Sequence, residues 1–210
     1  MQEEGKMENK KENKYVIGLT GGIGAGKSTV SSVLEEYGAT IIDADKLGHE
    51  VYEPGSEVNC AIRNMFGEDF FDEAGFLIRP KLGALVFSDA SALQKLNNIV
   101  HPAIVKLAAE RAARADGLVI MDAALLIEVG LHEICDEVWL VTVRDDVRID
   151  RVMKRNGFTE QEVRDRINSQ ISDEERGRYA SVVLDNSGGL PELREQIINA
   201  LENLNNRRRA

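Results

Sequence analysis

The chain has 210 residues, 43% of them hydrophobic, so it can bury a substantial core as one domain with insertions. Its 36 acidic and 26 basic residues give a net charge of -10, which argues against a broad electrostatic surface for nucleic acid or an anionic membrane. We therefore expect no nucleic-acid partner and no membrane partner. Two distant cysteines and three scattered histidines match no zinc spacing, which favours a cytoplasmic protein without a structural metal.

The two ends of the chain carry little information. Residues 1–14 mix charges and lack an apolar run, so they fit neither a signal peptide nor a membrane span, and we predict a disordered tail. Residues 206–210 form a basic tail that could interest an RNA. Arginines in such a place more often favour a helix dipole or stay solvated.

The first predicted element is a buried strand, the apolar run Tyr15–Thr20. It is followed by the phosphate-binding pattern G-x-x-x-x-G-K-[ST], which begins at Gly21 and ends at Ser28. Apolar residues then recur at helical spacing until Gly38. A strand, a glycine loop and a helix in this order predict a P-loop rather than a flexible loop.

A P-loop binds phosphate through backbone N–H groups that glycines allow to converge. The predicted nucleotide-binding residues are Gly22, Ile23, Gly24, Ala25, Gly26, Lys27, Ser28 and Thr29. Lys27 would neutralise charge on the β- and γ-phosphates, and the Ser28 hydroxyl would bind Mg²⁺. The loop therefore predicts a nucleotide and Mg²⁺ as ligands.

Later apolar segments alternate with helical ones, which predicts an α/β fold with a mostly parallel sheet flanked by helices. The four further strands are expected at 39–43, 118–122, 138–143 and 182–184. Residues 46–116 are too long for a simple crossover, and helical segments are expected there at 84–86, 92–100 and 103–115. Because ligands bind beyond the carboxyl ends of such strands, we interpret this insertion as the acceptor-binding region.

Three carboxylates follow predicted strands. Asp43 and Asp45 are spaced i, i+2, so extended geometry would point both to one face near the P-loop, where one could orient or accept the proton of an attacking hydroxyl. The alternative is a pair of turn acids that cap the next helix. Asp122 has the position of a Mg²⁺-binding Walker-B acid, and its alternative role is the N-cap of a helix over 123–127.

Arginines are dense between residues 145 and 180. They are Arg148, Arg151, Arg155, Arg164, Arg166, Arg176 and Arg178. In an acidic protein this density suggests a mobile helical lid that closes on phosphates, since the guanidinium fork matches phosphate oxygens. The alternative is ordinary i, i+4 pairing with acids such as Asp150, Glu160 and Asp165.

Separate motifs from Tyr15 onward together resemble the dephospho-coenzyme A kinase family. They are the loop at 19–29, Asp43-Ala-Asp45, Glu53-Pro-Gly55, Leu77-Ile-Arg-Pro-Lys-Leu82, the segment 96–104, Leu125-Leu-Ile-Glu128, Arg151 with Arg155, Arg166 with Gln170, and Asp185-Asn-Ser-Gly188. Departures occur at Ala124, where the family usually has proline, at Ser181, where an acid is usual, and at Arg148, where glutamine is common.

The resemblance implies a five-stranded P-loop kinase with a helical acceptor-binding insertion and a helical lid, residues 15–205. Its reaction would transfer the γ-phosphoryl group of ATP, with Mg²⁺, to the ribose 3′-hydroxyl of dephospho-CoA, and a monomer is expected. Asp45 matches the general base, Lys27, Arg151 and Arg155 would act in catalysis, and Ser28 and Asp122 would bind the metal. The implied substrate-binding residues are Asp43, Asp45, Arg79, His101 and Leu125, while Glu128 is a further candidate.

Two rival functions remain open on the sequence. A kinase of similar build could phosphorylate a nucleoside monophosphate or another small acceptor, which the P-loop cannot distinguish. A GTP-binding switch is disfavoured because the Asn-Lys-x-Asp guanine motif is absent.

Overall fold

A five-stranded parallel sheet forms the centre of the computed structural model, which describes residues 14–209. The strands are β1 Tyr15–Thr20, β2 Thr40–Asp43, β3 Leu118–Asp122, β4 Glu137–Thr142 and β5 Val182–Asp185, and their order in the sheet is β2-β3-β1-β4-β5. The pairs β1/β3, β1/β4 and β4/β5 are parallel. The predicted sheet is therefore confirmed. The tail predicted at 1–14 lies outside the described residues apart from Lys14.

Helices alternate with these strands. They are α1 Lys27–Glu36, α2 Ala44–Glu50, α3 Glu57–Phe66, α4 Arg79–Ser88, α5 Ala90–Arg114, α6 Asp145–Asn156, α7 Glu160–Asn168, α8 Asp173–Gly177 and α9 Leu190–Arg209, with 3-10 turns at Glu68–Phe70 and Leu131–Ile134. Residues 206–209 of the predicted basic tail thus belong to α9. Arg207 donates to Glu137 Oε2 at 2.7 Å, although Glu137 is largely buried. The helix end is therefore tied to β4.

The core explains why the loop after β1 is held firmly. Ile17 and Leu19 of β1 are fully buried, as are Trp139 and Val141 of the adjacent β4. They pack with apolar side chains of α1 and α9: Val30, Val33, Leu34, Leu193, Ile197 and Leu204. Near-continuous apolar strands of this kind are typical of parallel sheets covered by helices.

Residues 43–113 form a second compact unit, distinct from the unit that contains the P-loop. Its buried side chains come from successive helices and include Leu47, Val58, Ile62, Leu82 and Val86. The helices expected at 92–100 and 103–115 are one continuous helix, α5, and Pro102 lies inside it rather than at the start of a second helix. Within residues 14–209 no helix is long and apolar enough to span a bilayer.

The error at Pro102 has a physical cause. Proline is often the first residue of a helix because it has no N–H to donate, so the sequence suggested a new start there. In the structure Val100, Ile104 and Ala108 lie on both sides of Pro102 and are all buried. Packing along one continuous helix therefore outweighs the lost hydrogen bond.

Candidate active site

The glycine loop has the geometry that phosphate binding requires. It joins β1 to α1, which begins at Lys27, and Gly24 and Gly26 have positive φ angles of 75° and 94°. The first-turn N–H groups of a helix have no partner within the helix and carry the positive end of its dipole. A phosphate at this end of α1 would therefore meet both backbone donors and favourable charge.

Close packing leaves no room for a side chain at several glycines of the loop, among them Gly21 and Gly26. A Cβ added to Gly21 would lie 2.5 Å from the Val141 carbonyl oxygen on β4. A Cβ added to Gly26 would lie 2.1 Å from Asn186 Nδ2. The loop can therefore sit against β4 and the segment after β5 only because both side chains are absent.

We predict that Gly26→Ala destabilises the protein by roughly 3 kcal/mol, since it adds left-handed strain and disturbs the hydrogen bond between Asn186 and Ala25. The matched control is Gly38→Ala. Gly38 has a similar φ of 86° but nothing within 4 Å of an added Cβ, so only the strain of about 1–2 kcal/mol should remain. Urea unfolding of both variants measures the difference. An equal decrease in the free energy of unfolding in both variants would contradict the role assigned to the Asn186 contact.

Two side-chain amides hold the loop from outside. Gln170 Oε1 accepts a hydrogen bond from the Ile23 N–H at 2.9 Å, and Asn186 Nδ2 donates to the Ala25 carbonyl at 2.8 Å. Asn186 is itself buried and fixed, because its N–H donates to the Thr142 carbonyl at 2.8 Å. Both residues lie in motifs of the family resemblance, but the sequence did not predict that they would bind the loop.

Asp122 lies beside the glycine loop at the end of β3. Its strand register pairs it with Leu19, two residues before the loop. Asp122 Oδ1 is 3.6 Å from Lys27 Nζ, and Asp122 Oδ2 accepts from Ser31 Oγ at 2.6 Å. Residues 124–130 form turns rather than a helix, so the alternative N-cap role does not apply.

Arg151 and Arg155 of α6 line the same cavity as the glycine loop. The cavity has a volume of about 380 Å³, and its other lining residues are Gly24, Gly26, Ser28, Thr29, Val152, Asn186, Gly188 and Leu190. Arg151 is half-buried and Arg155 is exposed. Both guanidinium groups can therefore reach an anion bound at the loop.

Two other arginines pair with acids four residues away, as the alternative interpretation supposed, and a third stacks on an aromatic ring. Arg164 donates to Glu160 at 2.6 Å, Arg178 lies 3.8 Å from Glu174, and the Arg166 guanidinium lies 3.9 Å from the centre of the Phe158 ring. Such exposed i, i+4 pairs contribute little to stability.

Arg148 and Arg176 differ from the rest because they are only 5% and 1% exposed. Both bind Asp173, Arg148 Nη2 at 2.5 Å and Arg176 Nη1 at 3.2 Å. These two guanidinium groups are therefore held in ion pairs, and the mobile lid expected over residues 145–180 stays a prediction. Glu128 lies 3.8 Å from Arg176 Nη2, and Leu125 is 44% exposed on the turn after β3.

The pair Asp43 and Asp45 does not have the predicted extended geometry. β2 ends at Asp43, which is the N-cap of α2 and accepts from the Lys46 N–H at 3.1 Å, while Asp45 lies in the first turn of α2. Partial burial raises the pKa of Asp43, but its contacts with Lys46 outweigh burial and the net shift is downward. The strand itself is present, but the extended geometry expected of the pair is absent because Asp43, a good N-cap residue, starts the helix at once.

Arg79 and His101 both lie in the helical unit. Arg79 begins α4, its Nη1 lies 2.5 Å from His49 Nδ1, and its guanidinium stacks 4.9 Å from the Tyr52 ring centre. Burial lowers the pKa of His101, so its ring is neutral at pH 7 and can offer a hydrogen bond rather than a charge. The sequence did not predict that His49 and Tyr52 would contact Arg79.

Comparison with known proteins identifies the family. Residues 15–192 match the family model described as CoaE: Dephospho-CoA kinase. The chain belongs to the dephospho-CoA kinase family. The dephospho-CoA kinase of Carboxydothermus hydrogenoformans is 39% identical over 191 residues, which cover 89% of this chain and 93% of that protein. The dephospho-CoA kinase of Streptomyces avermitilis is 44% identical over 183 residues, 86% of this chain and 89% of that protein.

Solved structures with the same fold include one of clear sequence similarity and one of low similarity. The crystal structure of TT1252 from Thermus thermophilus has a TM-score of 0.77 at 34% identity and covers 90% of this chain and 96% of that chain. Shikimate kinase from Acinetobacter baumannii, in complex with shikimate, has a TM-score of 0.55 at 16% identity and covers 93% of this chain and 96% of that chain. The second likeness shows the fold alone. The predicted P-loop kinase fold and the predicted family are both confirmed.

Proposed function

We infer that the protein transfers the γ-phosphoryl group of ATP to the ribose 3′-hydroxyl of dephospho-CoA, giving coenzyme A and ADP in the final step of coenzyme A biosynthesis. One observation carries this conclusion: a complete P-loop, with Lys27 beside Asp122, lies within a family match that spans residues 15–192. The protein is therefore a transferase whose phosphoryl donor is ATP.

The P-loop residues would act mainly through position and charge. Phosphoryl transfer spreads negative charge over the γ-phosphate oxygens, and the enzyme lowers the barrier chiefly by orienting and neutralising these oxygens. The N–H groups at the start of α1 would hold the phosphates, and Lys27 would neutralise their charge. Arg151 and Arg155, which line the loop cavity, would approach the same phosphates from α6.

The residues around Asp122 fit a magnesium ion. A hydroxyl at Ser28 and a carboxylate already close to Lys27 are the oxygen donors that Mg²⁺ prefers, and Mg²⁺ usually takes its remaining ligands from phosphates and water. No cluster of three or more His, Cys, Asp or Glu that could hold a metal occurs in residues 14–209, which favours an ion brought in with ATP. The ion would neutralise charge between the β- and γ-phosphates.

The acceptor side belongs to the helical unit in this proposal. Asp45 follows the last residue of β2 by two positions, and as general base its carboxylate would take the proton of the 3′-hydroxyl while that oxygen attacks the γ-phosphorus and ADP leaves. Arg79, stacked on Tyr52, would bind the acceptor's phosphates, and neutral His101 would donate or accept a hydrogen bond. Asp43 would complete this part of the acceptor site, while Leu125, on the turn after β3, stays a candidate substrate-binding residue outside the helical unit.

Acceptor choice is the direct test. Purified protein with Mg-ATP is incubated with dephospho-CoA, AMP, CMP, pantetheine or no acceptor, ADP release is measured, and the product is identified by mass and by phosphorus NMR. We expect turnover only with dephospho-CoA, and phosphate only at the ribose 3′ position. Turnover with a nucleoside monophosphate would leave the P-loop assignments in place and overturn the acceptor, while hydrolysis independent of any acceptor would overturn the kinase proposal.

Three further features complete the proposal: a cytoplasmic location, a monomeric state and the absence of nucleic-acid and membrane partners. The net charge of -10 and the lack of a membrane-spanning helix within residues 14–209 support the last of these. Light scattering of the purified protein at micromolar concentration tests the monomer directly.

A further inference from the structure

The hydrogen bond between Gln170 and the glycine loop is not explained by the phosphate site itself. The Ile23 N–H is a backbone donor in the first half of the loop, and its partner Gln170 Oε1 is 147 residues away in the sequence. Gln170 lies just beyond α7, which ends at Asn168, and its own N–H donates to the Ile167 carbonyl at 3.2 Å. A side chain from the arginine-rich segment therefore fixes one peptide of the loop.

A buried ion network holds the segment that carries Gln170. Asp173 binds Arg148 with one oxygen and Arg176 with the other, and Arg176 Nη1 also donates to the Ile171 carbonyl at 2.6 Å. The residue after Gln170 is thus tied to a guanidinium that is 1% exposed. Breaking one partner of such a network is costly, because the other charge is left buried.

The side chains of Gln170, Arg148 and Arg176 lie close to Gly22. A Cβ added to Gly22 would lie 3.0 Å from Arg148 Nη1, 3.5 Å from Gln170 Oε1 and 3.6 Å from Arg176 Nη1. We call Gln170, Arg148, Asp173 and Arg176 the loop brace. The brace therefore contacts the first half of the loop, whereas Asn186 holds the second half at Ala25.

We propose that Gln170 is a positioning residue for nucleotide binding, which orients the Gly22–Ile23 peptide so that the remaining loop N–H groups converge on phosphate. The inference rests on the proposed function in that the loop binds the phosphates of ATP. Without Gln170 the loop populates other conformations, and apparent affinity falls by the fraction of molecules that remain competent. Gln170 touches no reacting atom and acts only through Ile23.

The test measures ADP binding by calorimetry, which needs no acceptor. Gln170→Leu removes the acceptor oxygen, and Gln170→Asn keeps an amide that is one methylene too short to reach Ile23. We expect both variants to bind ADP about tenfold more weakly and to raise the KM for ATP by a similar factor, with the KM for dephospho-CoA within twofold of the parent protein. The control is Gln161→Leu, because Gln161 is exposed on α7 and its side chain donates to the nearby Asp165 rather than to the loop.

Each outcome decides the matter. ADP binding within twofold of the parent in both Gln170 variants would overturn the proposal, and so would a lowered Tm with unchanged ADP binding, which indicates a purely structural role. If Gln170→Leu fails to fold, Gln170→Asn alone decides by the same ADP measurement. A parent protein that binds ADP yet phosphorylates no acceptor would overturn the proposed function while leaving this inference in place.

Discussion

Replacement of Lys27 by methionine is expected to lower kcat by about 10³-fold while the protein stays folded. Methionine keeps the length of the side chain but removes the charge that would meet the γ-phosphate oxygens. In the structure the Lys27 ammonium lies 3.6 Å from Asp122, so the charge is already held at the mouth of the loop. Steady-state kinetics with Mg-ATP and dephospho-CoA, read as separate kcat and KM values, measure the loss.

The fold should survive this change because Asp122 keeps its 2.6 Å hydrogen bond from Ser31. The matched control is Lys154→Met, since Lys154 is an exposed lysine of α6 that pairs with Asp150 at 2.8 Å. It should leave kcat within about twofold, as exposed ion pairs contribute little. A Lys27→Met enzyme with a kcat within fivefold of the parent would remove Lys27 from the transition state.

The fold and the phosphate loop were predictable because their signals are local. Short apolar runs in the sequence indicate the strands, and an eight-residue motif between a strand and a helix indicates the P-loop. The close packing that makes Gly21 necessary was not predictable, because Val141 belongs to a strand far along the chain. Sequence patterns therefore located the site, and tertiary contacts explain why it needs these residues.

The arginine segment shows where pattern reasoning stops. Arg148, Arg151 and Arg155 follow one another at helical spacings of three and four residues, but Arg148 is buried against Asp173 while the other two line the loop cavity. The spacing of charged residues predicts which side chains share a helix face, but it does not predict which other residues pack against that face. The partner of Arg148 comes from α8, and no local rule connects these two helices.

The hydrogen bonds that join the loop to the side chains of Gln170 and Asn186 could not be predicted, for a related reason. Each joins a side chain to backbone more than a hundred residues away, and a glutamine or asparagine is ordinary on any surface. Only the resemblance to a known family drew attention to the motifs containing them. In the structure each of these two side chains forms a hydrogen bond that holds one half of the glycine loop.

Asp45 is the residue whose replacement should separate binding from chemistry. Asp45→Asn is expected to fold, to bind ATP like the parent and to lose about 10²- to 10⁴-fold in kcat, since an amide cannot accept the proton of the 3′-hydroxyl. The side chain is exposed in the first turn of α2, so loss of its charge should remove a favourable helix-dipole contribution of about 0.3–1 kcal/mol. Single-turnover phosphoryl transfer, with ATP binding measured separately, checks both halves of this expectation.

Asp43→Asn is the comparison that tells the two acids apart. Asp43 is the N-cap of α2, and asparagine caps a helix about as well as aspartate, so this variant should keep its fold. Because the Asp43 carboxylate already accepts the Lys46 N–H, its loss should lower kcat far less than the loss of Asp45. Equal losses in both variants would assign the effect to the charge of the segment as a whole, and an undiminished kcat in Asp45→Asn would exclude Asp45 as the base.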